Sequence, residues 1–344
     1  MDEKTELKNT ANVEVGAYEV VSDEEIEEIL MKYDRESAYR RIPGIFSVVV
    51  SVIAIAFSLF HLYTAAFGVL PAQIQRAVHL GFGLALTYLL YPATRKGAHK
   101  LAWYDVALAV LAVFVMSYPV WNFHPLLIRA GAYTRLDIII GAIGILVVLE
   151  ATRRVVGIPI LVVVSVALAY CYFGRYIPGF FQHRGASLQR LVSHMFYTTE
   201  GIFGIPLGVS SVFIFLFILF GAFLEKTGIG QFFIDISNSI AGHAAGGPAK
   251  VAVITSAFEG TVSGSSVANT VGSGSFTIPM MKRLGYRPEF AGAVEASAST
   301  GGQIMPPIMG AAAFLMAEFI GVPYLQIVKS AVIPAILYFA GVFI

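Results

Sequence analysis

Charge and cysteine are both scarce in this chain. Lys, Arg, Asp and Glu together make up 13% of its 344 residues, about half the share usual in soluble domains, which argues against a water-soluble globule. The single cysteine, Cys171, excludes an intrachain disulfide and says nothing about compartment. The seven histidines are scattered, with no HExxH pair and no Cys/His cluster, so a protein-bound metal of the zinc type has no ligand set. There is no G-x-x-x-x-G-K-[ST] loop, which removes the case for ATP as a driving force. Gly260-Thr261-Val262-Ser263-Gly264 lacks the G-x-S-x-G elbow, and the nearest histidine, His243, falls at the expected cytoplasmic surface. Both points count against an intramembrane serine hydrolase, the enzyme alternative. No basic run or aromatic nucleic-acid motif occurs, so no nucleic-acid partner is expected, and no cofactor is implied.

Apolar residues fill the space left by charge. They are 57% of the chain, mean hydropathy is +0.74, and long helix-compatible runs predict an all-α polytopic membrane protein in a lipid bilayer. The net charge of +1 hides an asymmetry, because 12 of the 22 acidic residues lie within the first 41 positions. Residues 1–43 read as an acidic cytoplasmic extension with a short helix, Ser22 as its N-cap and Glu25 as the capping-box partner. No signal peptide precedes the first apolar run, and Arg40-Arg41 before it place the amino terminus inside.

Spans are expected at Gly44 to Val69, Ala77 to Tyr91, Tyr104 to Trp121 and Ile138 to Leu149. The second and fourth are short of about 20 residues and should extend into less apolar flanks. Arg95, Lys96 and Lys100 after the second and Arg153-Arg154 after the fourth favour four spans with both ends cytoplasmic. A fifth span, Ile158 to Phe173, leads outward, and a sixth, Leu207 to Leu224, returns. Between them, residues 188–196 alternate apolar and polar groups as an interfacial helix, or a packed loop helix, would. Gln231 to Ala241 reads as a second interfacial helix. Val322 to Ile344 begins another apolar element.

Two interrupted elements follow the sixth span. Ala249 to Val262 and Thr270 to Met281 are helical arms of roughly 21 and 18 Å, each short of a hydrocarbon core of about 30 Å. Lys250 opens the pair and Lys282-Arg283 closes it, so a re-entrant hairpin fits better than two spans. Its tip, Ser263 to Thr270, offers glycine and small neutral oxygens suited to a hard cation such as Na+. The N–H groups at the start of the second arm suit a carboxylate. A Ser/Gly helix-packing face is the structural alternative. The next element runs as helix from Ala291 to Thr300, cannot continue through Gly301-Gly302-Gln303-Ile304-Met305-Pro306-Pro307, and resumes at Ile308. Paired breaks of this kind recur at the ion and substrate sites of secondary transporters. Charged groups inside membrane segments default to functional candidates. Glu259 and Glu295 are therefore candidate contacts for a cation or proton, whereas Asp105 and Glu318 fall nearer span ends and are expected to be solvated.

The stretches LEATRRVVG (149–157), GSSVANTVGSGSFTIPMMKRLGY (264–286) and EFAGAVEASASTGGQIMPPIMGAAAFLMAEF (289–319) resemble the fused membrane permease of tripartite ATP-independent periplasmic (TRAP) transporters, in the TAXI-type subgroup. The resemblance covers residues 40 to 344. It implies a four-span small domain (44–151), a linking helix (152–174) and the first half of an inverted-repeat transport domain (175–344), with its hairpin at 249–281 and broken helix at 288–320. It further implies a prokaryotic cytoplasmic-membrane protein. A periplasmic TAXI-type binding protein would deliver an organic anion, and Na+ would be the coupling ion. Carried onto this chain, the Na+ site would comprise Gly264, Ser265, Ser266, Asn269, Thr300, Gly301, Gly302 and Met305, with Asn269, Thr270 and Ser299 on the substrate side. A second hairpin and second broken helix are missing, so the 344 residues are expected to be a fragment that does not transport alone. A carboxylate carrier independent of a binding protein and a non-transporting scaffold are the remaining alternatives.

Overall fold

The computed structural model describes residues 39–40, 44–93 and 101–344. The expected helix with Ser22 and Glu25, and the residues Arg41, Arg95, Lys96 and Lys100, lie outside the described residues. Among those described the chain is helical, with no strand, as an all-α polytopic membrane protein requires. Backbone groups in lipid have no water to bond, and helices satisfy them internally.

The helices in order are α1 (Ile45–Phe67), α2 (Ala72–Leu90), α3 (Trp103–Trp121), α4 (Phe123–Ile128), α5 (Arg135–Val155), α6 (Ile158–Phe173), α7 (Leu188–Tyr197) and α8 (Ile205–Val209). A π turn at Ser210–Ile214 joins α8 to α9 (Phe215–Lys226). There follow α10 (Ile229–Ala241), α11 (Gly247–Ser263), α12 (Ser266–Gly272), α13 (Gly274–Arg283), α14 (Pro288–Thr300), α15 (Ala311–Ile320) and α16 (Tyr324–Phe343). Among the described residues, five stretches are long and apolar enough to cross a membrane: Ile45–Phe67, Trp103–Trp121, Ile158–Tyr176, Ile205–Leu224 and Tyr324–Phe343. Helices α2 and α5, of 19 and 21 residues, do extend into polar flanks. Their Gln73, Gln75, Arg76 and His79, and Asp137, Glu150, Arg153 and Arg154, lower their hydropathy.

The chain divides into two compact units. One runs up to Leu224 and includes Ala311–Ile327; the other holds Glu225–Gly310 and Val328–Ile344. In the first, Tyr88, Met116, Phe196 and Phe203 are fully buried together. Helix α7 packs on α5 because two glycines clear the way. A methyl group on Gly144 would lie 2.1 Å from the Phe196 ring, and one on Gly141 would lie 2.8 Å from Val192. The apolar face of α7 is thus covered by protein at Val192, Phe196 and Tyr197. Helix α5 starts on a capping box in which Thr134 Oγ1 accepts from the Asp137 N–H at 3.3 Å and Asp137 accepts from the Thr134 N–H at 2.8 Å.

One expectation fails here. Asp105 is 1% exposed rather than solvated. Its two oxygens take hydrogen bonds from Arg40 Nη2 and Arg154 Nη1, each at 2.7 Å, and both arginine side chains are buried as well. Burial became affordable once two guanidiniums distant in sequence converged on the carboxylate. Glu318 is exposed, as its position implied.

Candidate functional site

Three short pieces of backbone meet in the second unit. Helix α11 ends at Gly264, whose φ of +60° is the left-handed conformation that stops a helix cheaply only at glycine. A side chain there is excluded twice over, since a Cβ would sit 2.0 Å from the Met309 carbonyl oxygen. Ser265 then caps α12, its Oγ accepting from the Ala268 N–H at 3.2 Å. The non-helical tip is therefore only Gly264 and Ser265, shorter than the Ser263 to Thr270 read from composition. The serine cap restarts the helix at once, so Ser266, Asn269 and Thr270 are helical. The arms are also longer than expected. Helix α11 has 17 residues, about 26 Å.

Helix α14 ends at Thr300 in a single 3-10 turn, Gly301–Gln303. The chain then runs irregularly, through a cis Pro306–Pro307 peptide and Met309 at φ +54°, until α15 begins at Ala311 rather than at Ile308. The turn lies against α11 and α12. A Cβ on Gly260 would meet the Gly302 Cα at 2.6 Å and Met305 Cβ at 3.2 Å, and one on Gly302 would meet Asn269 Nδ2 at 2.3 Å. Glycine faces glycine at this crossing because no side chain fits between the backbones.

Asn269 stands at the centre, 1% exposed. Its Oδ1 accepts from Ser263 Oγ and its Nδ2 donates to the Ser256 carbonyl at 3.5 Å. Ser266 Oγ accepts from Gln303 Nε2 at 2.9 Å, tying α12 to the 3-10 turn. Of the residues singled out from sequence, Gly264, Ser266, Asn269, Gly302 and Met305 thus come together, with Ser265 beside them. Gly301 is buried under Tyr338 and Phe339 of α16, and its carbonyl accepts from the Ile304 N–H at 3.1 Å. Thr300 is exposed, and its hydroxyl is spent on the Ala296 carbonyl. Thr270 similarly bonds back to the Ser266 carbonyl.

The two candidate glutamates part company. Glu259 is half-buried beside Gly272, at the side of α12 away from the tip. Glu295 is 0% exposed and faces hydroxyls alone. Its Oε1 accepts from Ser273 Oγ at 2.5 Å, Ser299 Oγ at 3.0 Å and Ser256 Oγ at 3.3 Å, and its Oε2 from Thr277 Oγ1. Ser299 thus turns to Glu295 and is itself fully buried. Ser256, Ser273 and Thr277 were not anticipated. The available signal was the i, i+4 spacing of Ser273 with Thr277 and of Glu295 with Ser299, which puts each pair on one helix face.

Residues 143–344 match a family described as the DctM component of the tripartite ATP-independent periplasmic transporter. The chain belongs to that family. Family membership and the apolar helices together make it a multi-pass inner-membrane protein, from a family of transporters rather than enzymes. Over 169 residues it is 30% identical to the C4-dicarboxylate TRAP transporter large permease protein DctM of Vibrio cholerae, covering 48% of this chain and 34% of the relative. It is 37% identical over 91 residues to the protein of the same description in Pseudomonas aeruginosa, 26% of this chain and 21% of the relative. It is 33% identical over 91 residues to the isethionate TRAP transporter permease protein DctMQ of Oleidesulfovibrio alaskensis, 26% of this chain and 14% of the relative. The aligned part of this TRAP permease chain thus spans about a third of these curated relatives at most. No solved structure matches it.

Proposed function

We propose that this chain is part of the membrane permease of a TAXI-type TRAP transporter, which imports an organic anion, a carboxylate, by Na+-coupled secondary transport. A periplasmic substrate-binding protein delivers the anion. The observation that carries the reading is the docking of the Gly264-Ser265 turn and Asn269 onto the Gly301–Gly310 break. Carbonyl and neutral side-chain oxygens concentrate there without a fixed cation, as a Na+ site needs. Helices α11 to α13 form a re-entrant hairpin, and the amino terminus is cytoplasmic. Residues 44–151 are the small domain, 152–174 the linking helix, and 175–344 the first repeat of the transport domain. The names of the relatives support an organic anion, since C4-dicarboxylates and isethionate both carry acid groups. The coupling-ion ligands are drawn from Gly264, Ser265, Ser266, Asn269, Thr300, Gly301, Gly302 and Met305. Thr270 and Ser299 flank the substrate side.

The test uses the full-length permease in proteoliposomes with its binding protein and a labelled dicarboxylate. Uptake should require both an inward Na+ gradient and the binding protein. Asn269→Ala should raise the Na+ concentration for half-maximal uptake about tenfold, the loss of roughly 1.4 kcal/mol of ion binding. Uptake indifferent to Na+ would refute the coupling. Uptake without the binding protein would favour the independent carrier.

A further inference from the structure

The tip and the break leave one buried ionisable group unused. Glu295 sits within hydrogen-bond reach of four hydroxyls from three helices: Ser256 on α11, Ser273 and Thr277 at and beyond the α12–α13 junction, and Ser299 on α14. Gly274 lets α13 approach, since a Cβ there would lie 3.0 Å from Glu295 Cγ. The charged and titratable groups on the elements around it are Lys250 and Glu259 on α11, Lys282 and Arg283 on α13, Arg287 and Tyr286 before α14, and Glu289 on α14. None of them bonds to Glu295, whose described partners are all neutral hydroxyls. A buried carboxylate without a counter-charge is expensive, and accepting a proton removes the expense.

The hydroxyls are arranged to suit either form. With Glu295 ionised, all four donate to it. With Glu295 neutral, its new O–H donates to Thr277 Oγ1. Thr277 then turns its own proton to the Ser273 carbonyl, 3.0 Å away, while Oε1, now an uncharged carbonyl oxygen and a weaker acceptor, releases Ser273 Oγ to turn its proton to the Asn269 carbonyl at 2.8 Å. Ser256, Ser273 and Thr277 each have one proton and two acceptors within reach, so these protons turn without breaking a helix.

We propose that Glu295 is a proton-binding site. It alternates between ionised and neutral forms within this hydroxyl cage, and its state is passed through Ser273 to the Asn269 carbonyl. The inference rests on the transport reading for its consequence, a pH-dependent uptake, but the proton site itself can be tested without transport.

Infrared difference spectra of the full-length permease in detergent, recorded between acid and alkaline pH, should show one carboxylic C=O band that titrates and is lost in Glu295→Gln. Ser299→Ala, which removes a hydroxyl donor and keeps the carboxyl, should shift the midpoint of that band. This second variant stands if Glu295→Gln fails to fold. At a fixed Na+ gradient, uptake by the parent should vary with pH and that by Glu295→Gln should not. A titrating band that survives Glu295→Gln, or that Ser299→Ala does not move, overturns the proposal. So does a carboxylate band that responds to added Na+ and not to pH, which would make Glu295 a cation ligand. Failure of Na+-driven uptake with the titration intact would refute the transport reading alone.

Discussion

Asp105 and Glu295, buried carboxylates in different units, are held in opposite ways. Asp105 is locked between two guanidiniums at 2.7 Å, and one of these, on Arg154, also bonds to Glu150 at 2.9 Å and lies over the Tyr88 ring. Glu295 has four hydroxyls and no cation. Charge–charge pairing fixes one protonation state, because neutralising Asp105 would remove a carboxylate held at 2.7 Å from each of two buried guanidiniums. Hydroxyls, which both donate and accept, fix none. The first arrangement suits a unit that holds its shape; the second suits one whose charge changes.

The sharpest way to break the comparison is Asp105→Asn. The amide keeps the volume but takes away the carboxylate that Arg40 and Arg154 share, and removing one partner of a buried ionic group costs about 3–5 kcal/mol. Thermal unfolding of the full-length permease in detergent should show a fall of several degrees. A melt indistinguishable from the parent would return Asp105 to the solvated position its sequence context suggested.

That context explains what could and could not be read in advance. Long apolar runs such as Ile45–Phe67 and Ile158–Phe173 were legible because length and composition alone define a span, and their ends matched to within two residues. The same continuity hid the π turn at Ser210–Ile214, which interrupts an apolar run without a glycine or proline to mark it. Burial of Asp105 depends on Arg40 and Arg154, 65 and 49 residues away, and no local pattern encodes such a meeting. The site was half legible. Glycines and Asn269 announced a turn at the tip, but Ser256, Ser273 and Thr277 resembled the small residues that simply let helices pack. Only the fold separates a hydroxyl that fills space from one aimed at a carboxylate.

A smaller effect should follow from Gly264→Ala. The left-handed φ costs an L-residue about 1 kcal/mol, and the contact with the Met309 carbonyl adds roughly 1–3 kcal/mol of overpacking. The damage should be confined to the crossing of tip and break. Na+-dependent uptake is therefore expected to fall far more than the melting temperature, whereas Asp105→Asn should lower the melt first. Equal losses in both measurements would mean that the tip is merely part of the packed core.

The smallest change in stability should come from Glu295→Gln, and it tests the comparison from the other side. The carboxamide keeps an oxygen for the serine donors, and its NH2 can donate to Thr277 Oγ1, which retains the Ser273 carbonyl as its own acceptor. Loss of the negative charge strands nothing, because no cation faces it. A net cost of about 1 kcal/mol, one hydrogen bond's worth, is the expectation. The melt should then move by much less than for Asp105→Asn, although both substitutions replace a buried acid by its amide. If the two shifts were alike, Glu295 would have to be ionised and paired in the folded protein, and the contrast between a locked and a switchable carboxylate would disappear.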